Sequence, residues 1–220
     1  MKIIISPSKT QKHLDIPELW RPYVQAASIQ TDMKRQRAIL QDPLAQYAAP
    51  LEPTSGTPAL LFYTGLVYKQ LNLAAYDRTA LDYINQHLIL LSAFYGFLNP
   101  FEPINAYRLD YKVKFPDFKL YDYWRKFLDD NLPKDTLYVN LASDEFSKSV
   151  TCAKLNIHFR ENIQGRLQNK ATFSKMARGR FLHEMIINQV VSADEIKKIA
   201  FDGYQFNADC STEIDYYFIR

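Results

Sequence analysis

Two rhythms run through the apolar positions of this chain: short solid runs and helical stripes. Residues 2–5 place three isoleucines after a lysine and stop at Ser6-Pro7, the pattern of a short buried strand. Residues 59–63 form a second apolar run closed by Thr64-Gly65, and residues 88–95 a third ending at Gly96; both read as strands. Residues 136–141 alternate into a strand, and 157–159, 171–173, 203–206 and 216–219 are shorter candidates. Asp77 is placed to cap a helix in which Leu81, Ile84 and Leu88 recur at helical spacing. Leu120, Tyr123, Trp124, Phe127 and Leu128 form one apolar stripe and predict a helix over 120–131, stopped by Pro133. Phe181, Leu182, Met185, Ile186 and Val190 predict a long helix over 174–190, and residues 32–48 read as helical with an interruption at Asp42-Pro43. Strands and helices mixed without strict alternation give an α/β fold, with α+β as the neighbouring option. The expected architecture is a single domain over residues 1–220, with a mixed sheet and flanking helices.

Composition narrows the class. A chain of 220 residues with 47% hydrophobic and 23% charged positions is of ordinary globular type. Collagenous, disordered and disulfide-rich classes are excluded, since Cys152 and Cys210 are too few for a staple framework. Runs such as Leu88-Ile89-Leu90-Leu91 fall short of the ~20 apolar residues a membrane span needs. The first residues lack the apolar stretch of about 7–15 that a secretory signal carries. The expectation is a cytoplasmic protein, monomeric, with reduced cysteines and no membrane partner.

Charge changes the picture through its distribution. The net charge is only +3, but between Lys148 and Arg180 eight basic residues face one acid, Glu161. The remainder is net negative. Such asymmetry is a footprint of a polyanion site, or simply a solvated basic surface. Several chemistries are missing. The six glycines form neither G-x-G-x-x-G nor a P-loop, no G-x-S-x-G elbow exists, and Ile187 stands where a zinc protease would need a histidine after His183. His13, His87, His158 and His183 share no metal-ligand spacing, so neither a metal nor another cofactor is expected.

Four segments look more specialised than packing requires. Ser6-Pro7-Ser8-Lys9-Thr10 follows the first strand, where α/β sheets place ligands, although Ser-Pro also makes plain turns. Residues 95–109 thread Gly96, Pro100 and Pro103 towards Tyr107-Arg108-Leu109; Arg108 either binds phosphate or holds its own loop. Asn140-Leu141-Ala142-Ser143 leads into a short helix, with Ser143 as an N-cap or an anion contact and Lys148 nearby. Ser174-Lys175-Met176-Ala177-Arg178-Gly179-Arg180 opens the long helix. There Lys175 and Arg178 share a side with Leu182, Met185 and Ile186, so they should line a cleft or pair with acids. Gly179 weakens that turn by about 1 kcal/mol relative to alanine, which a close-approaching backbone or ligand would explain.

Together the segments resemble the YaaA peroxide-stress proteins. The resemblance runs nearly end to end, through Ile5-Ser6-Pro7-Ser8-Lys9-Thr10, Gly65-Leu66-Val67-Tyr68, Leu91-Ser92 with Tyr95-Gly96, and Tyr107-Arg108-Leu109. It continues through Asn140-Leu141-Ala142-Ser143, Lys175 with Ala177-Arg178-Gly179, and Gly203-Tyr204 with Phe206. It implies a cytoplasmic bacterial protein that protects against hydrogen peroxide and lowers free iron, limiting Fenton damage. It also implies DNA binding through a positively charged cleft and a helix-hairpin-helix element in an unusual α/β fold, with no established reaction. The chain departs from the family pattern at Ala106, where proline is usual, and at His183, where arginine is usual. The isolated Gly65 and Gly96 do not place the hairpin element.

The leading expectation is therefore a non-enzymatic DNA-binding protein of the oxidative-stress response, taking double-stranded or distorted DNA. Phosphate contacts would come from Lys9, Arg108, Lys148, Lys175, Arg178 and Arg180, with Tyr68, Tyr95 and Tyr107 available for stacking. Ser6, Ser8, Thr10, Asn140 and Ser143 would supply polar cleft groups. The alternative is an enzyme acting on a nucleotide or base in the same cleft, with Ser143, Asp144 or Glu145 as nucleophile, acid or base.

Overall fold

Three consecutive isoleucines alternate between two faces, so a strand built from them needs cover on both sides. Residues 3–5 accordingly lie at the centre of the sheet, each with no exposed surface. The structure, a computed structural model, describes residues 1–30, 44, 47 and 56–220, the side chains of 28–30 excepted. Along the chain come β1 (Lys2–Ile5), α1 (Arg21–Gln30), β2 (Thr57–Pro58), α2 (Ala59–Phe62), α3 (Arg78–His87), β3 (Leu88–Ser92), β4 (Gly96–Leu98), β5 (Pro103–Ile104), α4 (Leu120–Asn131), β6 (Tyr138–Asn140), α5 (Asp144–Ser147), β7 (Lys154–Ile163), β8 (Arg166–Gln168), α6 (Ala171–Ile187), α7 (Ala193–Ile196), β9 (Gln205–Asn207) and β10 (Asp215–Ile219).

The main sheet has eight strands in the order β4-β3-β1-β6-β7-β10-β9, with β8 paired to β7. β1 runs parallel to both neighbours, Ile3 opposite Leu88 on β3 and Val139 on β6. β6, β7 and β10 continue in parallel, while β4, β8 and β9 pair antiparallel. β2 and β5 make a separate two-stranded sheet. The fold is α/β with a mostly parallel sheet and flanking helices. Among the described residues, no helix is long and apolar enough to cross a membrane.

Local causes account for most boundaries. Asp77 caps α3 by accepting the Ala80 N–H at 2.9 Å. Trp124 on the apolar stripe of α4 donates its indole N–H to the Ala93 carbonyl at 2.7 Å, docking that helix under the β3–β4 turn. On β7 the alternation buries Leu155, Ile157 and Phe159, and Phe159 meets Phe181 of α6 and Phe218 of β10. The opposite positions, Asn156, His158 and Arg160, remain partly exposed.

Three expectations are corrected. Residues 59–63 are not a strand: 59–62 form α2, hung from the neighbouring loop by Ala59 and Leu60 N–H groups that reach the Glu102 and Pro100 carbonyls at 2.9 Å. A short buried apolar run does not distinguish strand from helix by periodicity. The strand expected over 88–95 ends at Ser92, whose hydroxyl accepts the Phe94 and Tyr95 N–H groups and turns the chain. Gly96 then takes φ +77° with the Trp124 ring against it, 2.8 Å from where a Cβ would stand. Residues 171–173 are not a strand but the first turn of α6, which ends at Ile187 instead of 190. The helix expected over 32–48 falls outside the described residues, apart from the single positions 44 and 47. Gly65 follows the four-residue α2 and Gly96 joins two strands, so neither glycine lies between two full helices.

Burial sets a pH dependence. His87, bonded to the Met1 carbonyl at 2.8 Å, and His183, bonded to the Tyr76 hydroxyl at 2.8 Å, are both pushed below the ordinary histidine value of 6.5, chiefly by burial. The folded state thus binds fewer protons than the unfolded chain as pH falls through 6.5. Stability is complete above that pH and drops as the pH falls towards the lowered folded values. Thermal unfolding should show a lower Tm at pH 5.5 than at 7.5. The double substitution His87→Gln/His183→Gln should flatten that difference; an unchanged difference would remove both histidines as its cause.

Candidate functional site

After β1 the chain reaches β3 on one side and then crosses back to β6 on the other. Loops leaving the carboxyl ends of β1 and β6 part at this point, and such a crevice is where open α/β sheets hold ligands. Ser6 ties the two strand ends together. Its hydroxyl accepts the Ser143 N–H at 2.8 Å and lies 3.2 Å from the Ser143 hydroxyl. Asn140 stiffens the second loop by accepting the Ala142 N–H at 3.0 Å and donating to Asn156 at 2.8 Å. Ser143 stands at the N-cap position of α5, yet its side chain caps nothing and turns to Ser6 instead.

Two glycines close the other wall. A Cβ on Gly65 would stand 2.4 Å from the Ser8 hydroxyl, and one on Gly179 would stand 2.1 Å from the Val67 carbonyl oxygen. The 65–68 turn is therefore pressed between the loop after β1 and helix α6. Tyr68 fixes it by donating to the Ser6 carbonyl at 2.7 Å. The loop after β1 is held by the Thr64 N–H on the Thr10 carbonyl and by Gln11, which accepts the Tyr107 N–H at 3.1 Å.

These segments enclose a cavity of about 390 Å³. Four cations from three separate stretches line it: Lys9, Arg108, Lys175 and Arg178, against the carboxylates of Asp110 and Glu145. Lys9 pairs with Asp110 at 3.1 Å. Burial alone would raise the Asp110 carboxyl, but Lys9 and the Lys112 N–H outweigh it and hold it below the usual range. Arg108 and Lys175 are exposed. Arg178 lies deeper, its Nε fully buried without a hydrogen-bond partner. Burial pulls its pKa below the usual arginine value, partly offset by Asp144. Tyr68 is pushed far up and Tyr107 up to about 12, both mainly by burial, so both stay neutral phenols.

Of the residues expected at the cleft, Ser6, Ser8, Lys9, Thr10, Tyr68, Tyr107, Arg108, Ser143, Lys175 and Arg178 line this cavity. The others stand elsewhere. Lys148 is exposed beyond the end of α5 and outside the cavity walls. Arg180 points away, held 3.6 Å from both Glu184 and Asp202, because two positions beyond Arg178 lie on another side of the helix. Asn140 supports the loop without reaching the cavity. Tyr68, Tyr95 and Tyr107 offer no open ring face for stacking, being only 4%, 1% and 7% exposed. Tyr107 instead shares hydroxyl contacts with Tyr63 at 2.6 Å and Ser92 at 3.0 Å. His183 bonds Tyr76 and also lies outside the walls. Asp110 and Gln11 were missed, though both directly continue motifs already singled out. Among the described residues, no group of three or more His, Cys, Asp or Glu side chains could hold a metal, and both cysteines are free thiols.

Fold and site together define an α/β protein with a basic cavity at the switch point of its sheet. Residues 1–210 match the family described as peroxide stress protein YaaA, and the chain belongs to that family. A UPF0246 protein of Fusobacterium nucleatum is 39% identical over 170 residues, covering 74% of this chain and 68% of the relative. One from Caulobacter vibrioides is 32% identical across the whole chain and 99% of its own length, and one from Agathobacter rectalis is 35% identical over 174 residues.

The glycine contacts give a direct test. Gly179→Ala drives a methyl into the Val67 carbonyl and should destabilise the fold by about 1–3 kcal/mol. Urea unfolding measures this; an unchanged midpoint would mean that the 65–68 turn does not depend on that close approach.

Proposed function

We propose that this chain serves the peroxide-stress response in the bacterial cytoplasm by binding DNA, without sequence preference, at the basic mouth of the switch-point cavity. Limiting free-iron, Fenton-type damage belongs to the same reading, and family membership is its support. The observation that carries the DNA part is the convergence of Lys9, Arg108, Lys175 and Arg178 from distant stretches of sequence on one opening. Cations so placed contact backbone phosphates, which position a nucleic acid without reading its bases. Contacts of this kind respond to charge and shape, so the binding carries no sequence preference. A monomer suffices, since one chain supplies all four cations.

The catalytic alternative would use Ser143, Asp144 or Glu145. The near neighbour of the Ser143 hydroxyl is another hydroxyl, that of Ser6, and Glu145 accepts the Tyr111 N–H at 3.2 Å. Neither arrangement supplies the base that a nucleophilic serine requires. Binding is the better-supported reading.

Fluorescence anisotropy of a labelled duplex over a range of salt tests it. Four phosphate contacts give a log–log slope of about −3.6. The double substitution Lys175→Ala/Arg178→Ala should weaken binding and flatten the slope by about 2. A slope near zero, or no binding at low salt by folded protein, would overturn the proposal.

A further inference from the structure

A duplex can lie across the mouth of the cavity but cannot enter it. The volume of about 390 Å³ instead falls in the range of small-molecule pockets, roughly 300–1,000 Å³. Phosphate contacts at the mouth are explained by Lys9, Arg108, Lys175 and Arg178, but they leave the apolar interior without a role.

The interior has two kinds of unmet surface. Arg178 lines the interior with its Nε fully buried and without a hydrogen-bond partner, and Asp144 only partly offsets the cost of that burial. A guanidinium donor left dry is costly, so an anionic acceptor is the fitting occupant. Beside it stand apolar walls from Pro7, Leu66, Val67, Leu109 and Phe146. A bare phosphate would satisfy Arg178 and leave those walls wetted; a plain apolar ligand would do the reverse. One anionic group joined to a flat, weakly polar body satisfies both. The hydroxyls of Ser8 and Thr10, 3.0 Å apart on the same wall, add acceptors and donors of the kind a sugar engages.

We propose that the cavity takes a single nucleotide unit, its phosphate on Arg178 and Lys175 and its base against Leu66, Leu109 and Phe146. The inference rests on the nucleic-acid reading of the same site for the class of ligand. The unit has two possible sources, a free nucleoside monophosphate or a nucleotide still within a DNA strand. The shared chemistry is one phosphate, one sugar and one base.

Isothermal titration of the full chain with nucleoside 5′-monophosphates, the matching nucleosides and inorganic phosphate tests the proposal, with competition against the labelled duplex as a second arm. At least one monophosphate should bind with one-to-one stoichiometry, at least tenfold tighter than its nucleoside or phosphate alone. Arg178→Met should weaken it at least tenfold. Lys175→Ala, at an exposed position that does not threaten folding, should weaken it several-fold. Displacement of the duplex by the monophosphate would assign both sources to one cavity; simultaneous binding would assign the cavity to the free nucleotide. Phosphate binding as tightly as every monophosphate would overturn the nucleotide assignment. Duplex binding without any monophosphate binding, direct or by competition, would overturn it and leave the DNA reading standing. Monophosphate binding without duplex binding would do the opposite.

Discussion

The hydroxyl of Ser6, accepting the Ser143 N–H at 2.8 Å, joins the ends of two adjacent parallel strands whose loops leave in different directions. Everything at the site depends on that junction staying closed at its base and open above. β1 can occupy the sheet centre only because its isoleucines are buried on both faces, and this brings Ser6 to the switch point. From there Tyr68 reaches the Ser6 carbonyl and sets the 65–68 turn, and that turn in turn sets how close α6 can come. Gly179 marks the limit of the approach. With any larger residue there, Lys175 and Arg178 would be carried away from the loop after β1.

The charges at the opening are not equivalent. Lys9 spends part of its field on Asp110, and Arg108 and Lys175 stand in water, where screening by salt weakens them. Arg178 is the exception, since its Nε is enclosed and part of its solvation is already lost. A cation prepared in this way contributes more per contact to a ligand than one that must first shed water. Arg180, two residues on, has the same chemistry and no such role, because Glu184 and Asp202 occupy it on another side of the helix.

Much of this was legible in the chain itself. The central strand, the capped helix after Asp77 and the stripe over 120–131 each follow from one local rule, and no distant contact competes with it. Lys175 and Arg178 could be assigned to a cleft because charge on a core-facing stripe has few other outlets. Residues 59–62 misled because buried apolar runs carry no period, and the hydrogen bonds that decide for helix come from residues 100 and 102. The three tyrosines misled for another reason. The partners of Tyr68 and Tyr107, namely Ser6, Tyr63 and Ser92, lie 15 to 62 residues away in sequence, so composition announced aromatic rings but not their burial. Lys148 and Arg180 joined the candidate set through their segments and a count of charges, neither of which takes account of the direction in which each side chain leaves the backbone.

The most direct measurement is heteronuclear NMR of the arginine side-chain Nε–H groups during titration with a short DNA duplex, Arg178 being assigned through the Arg178→Lys variant. A buried Nε–H exchanges slowly with water, so the Arg178 signal should be visible in the free protein. It should then move most on titration, with Arg108 following, while Arg180 stays fixed by its two carboxylates. Movement of Arg180 or Arg166 with Arg178 unchanged would contradict the account, because the ligand would then lie away from the switch-point cavity.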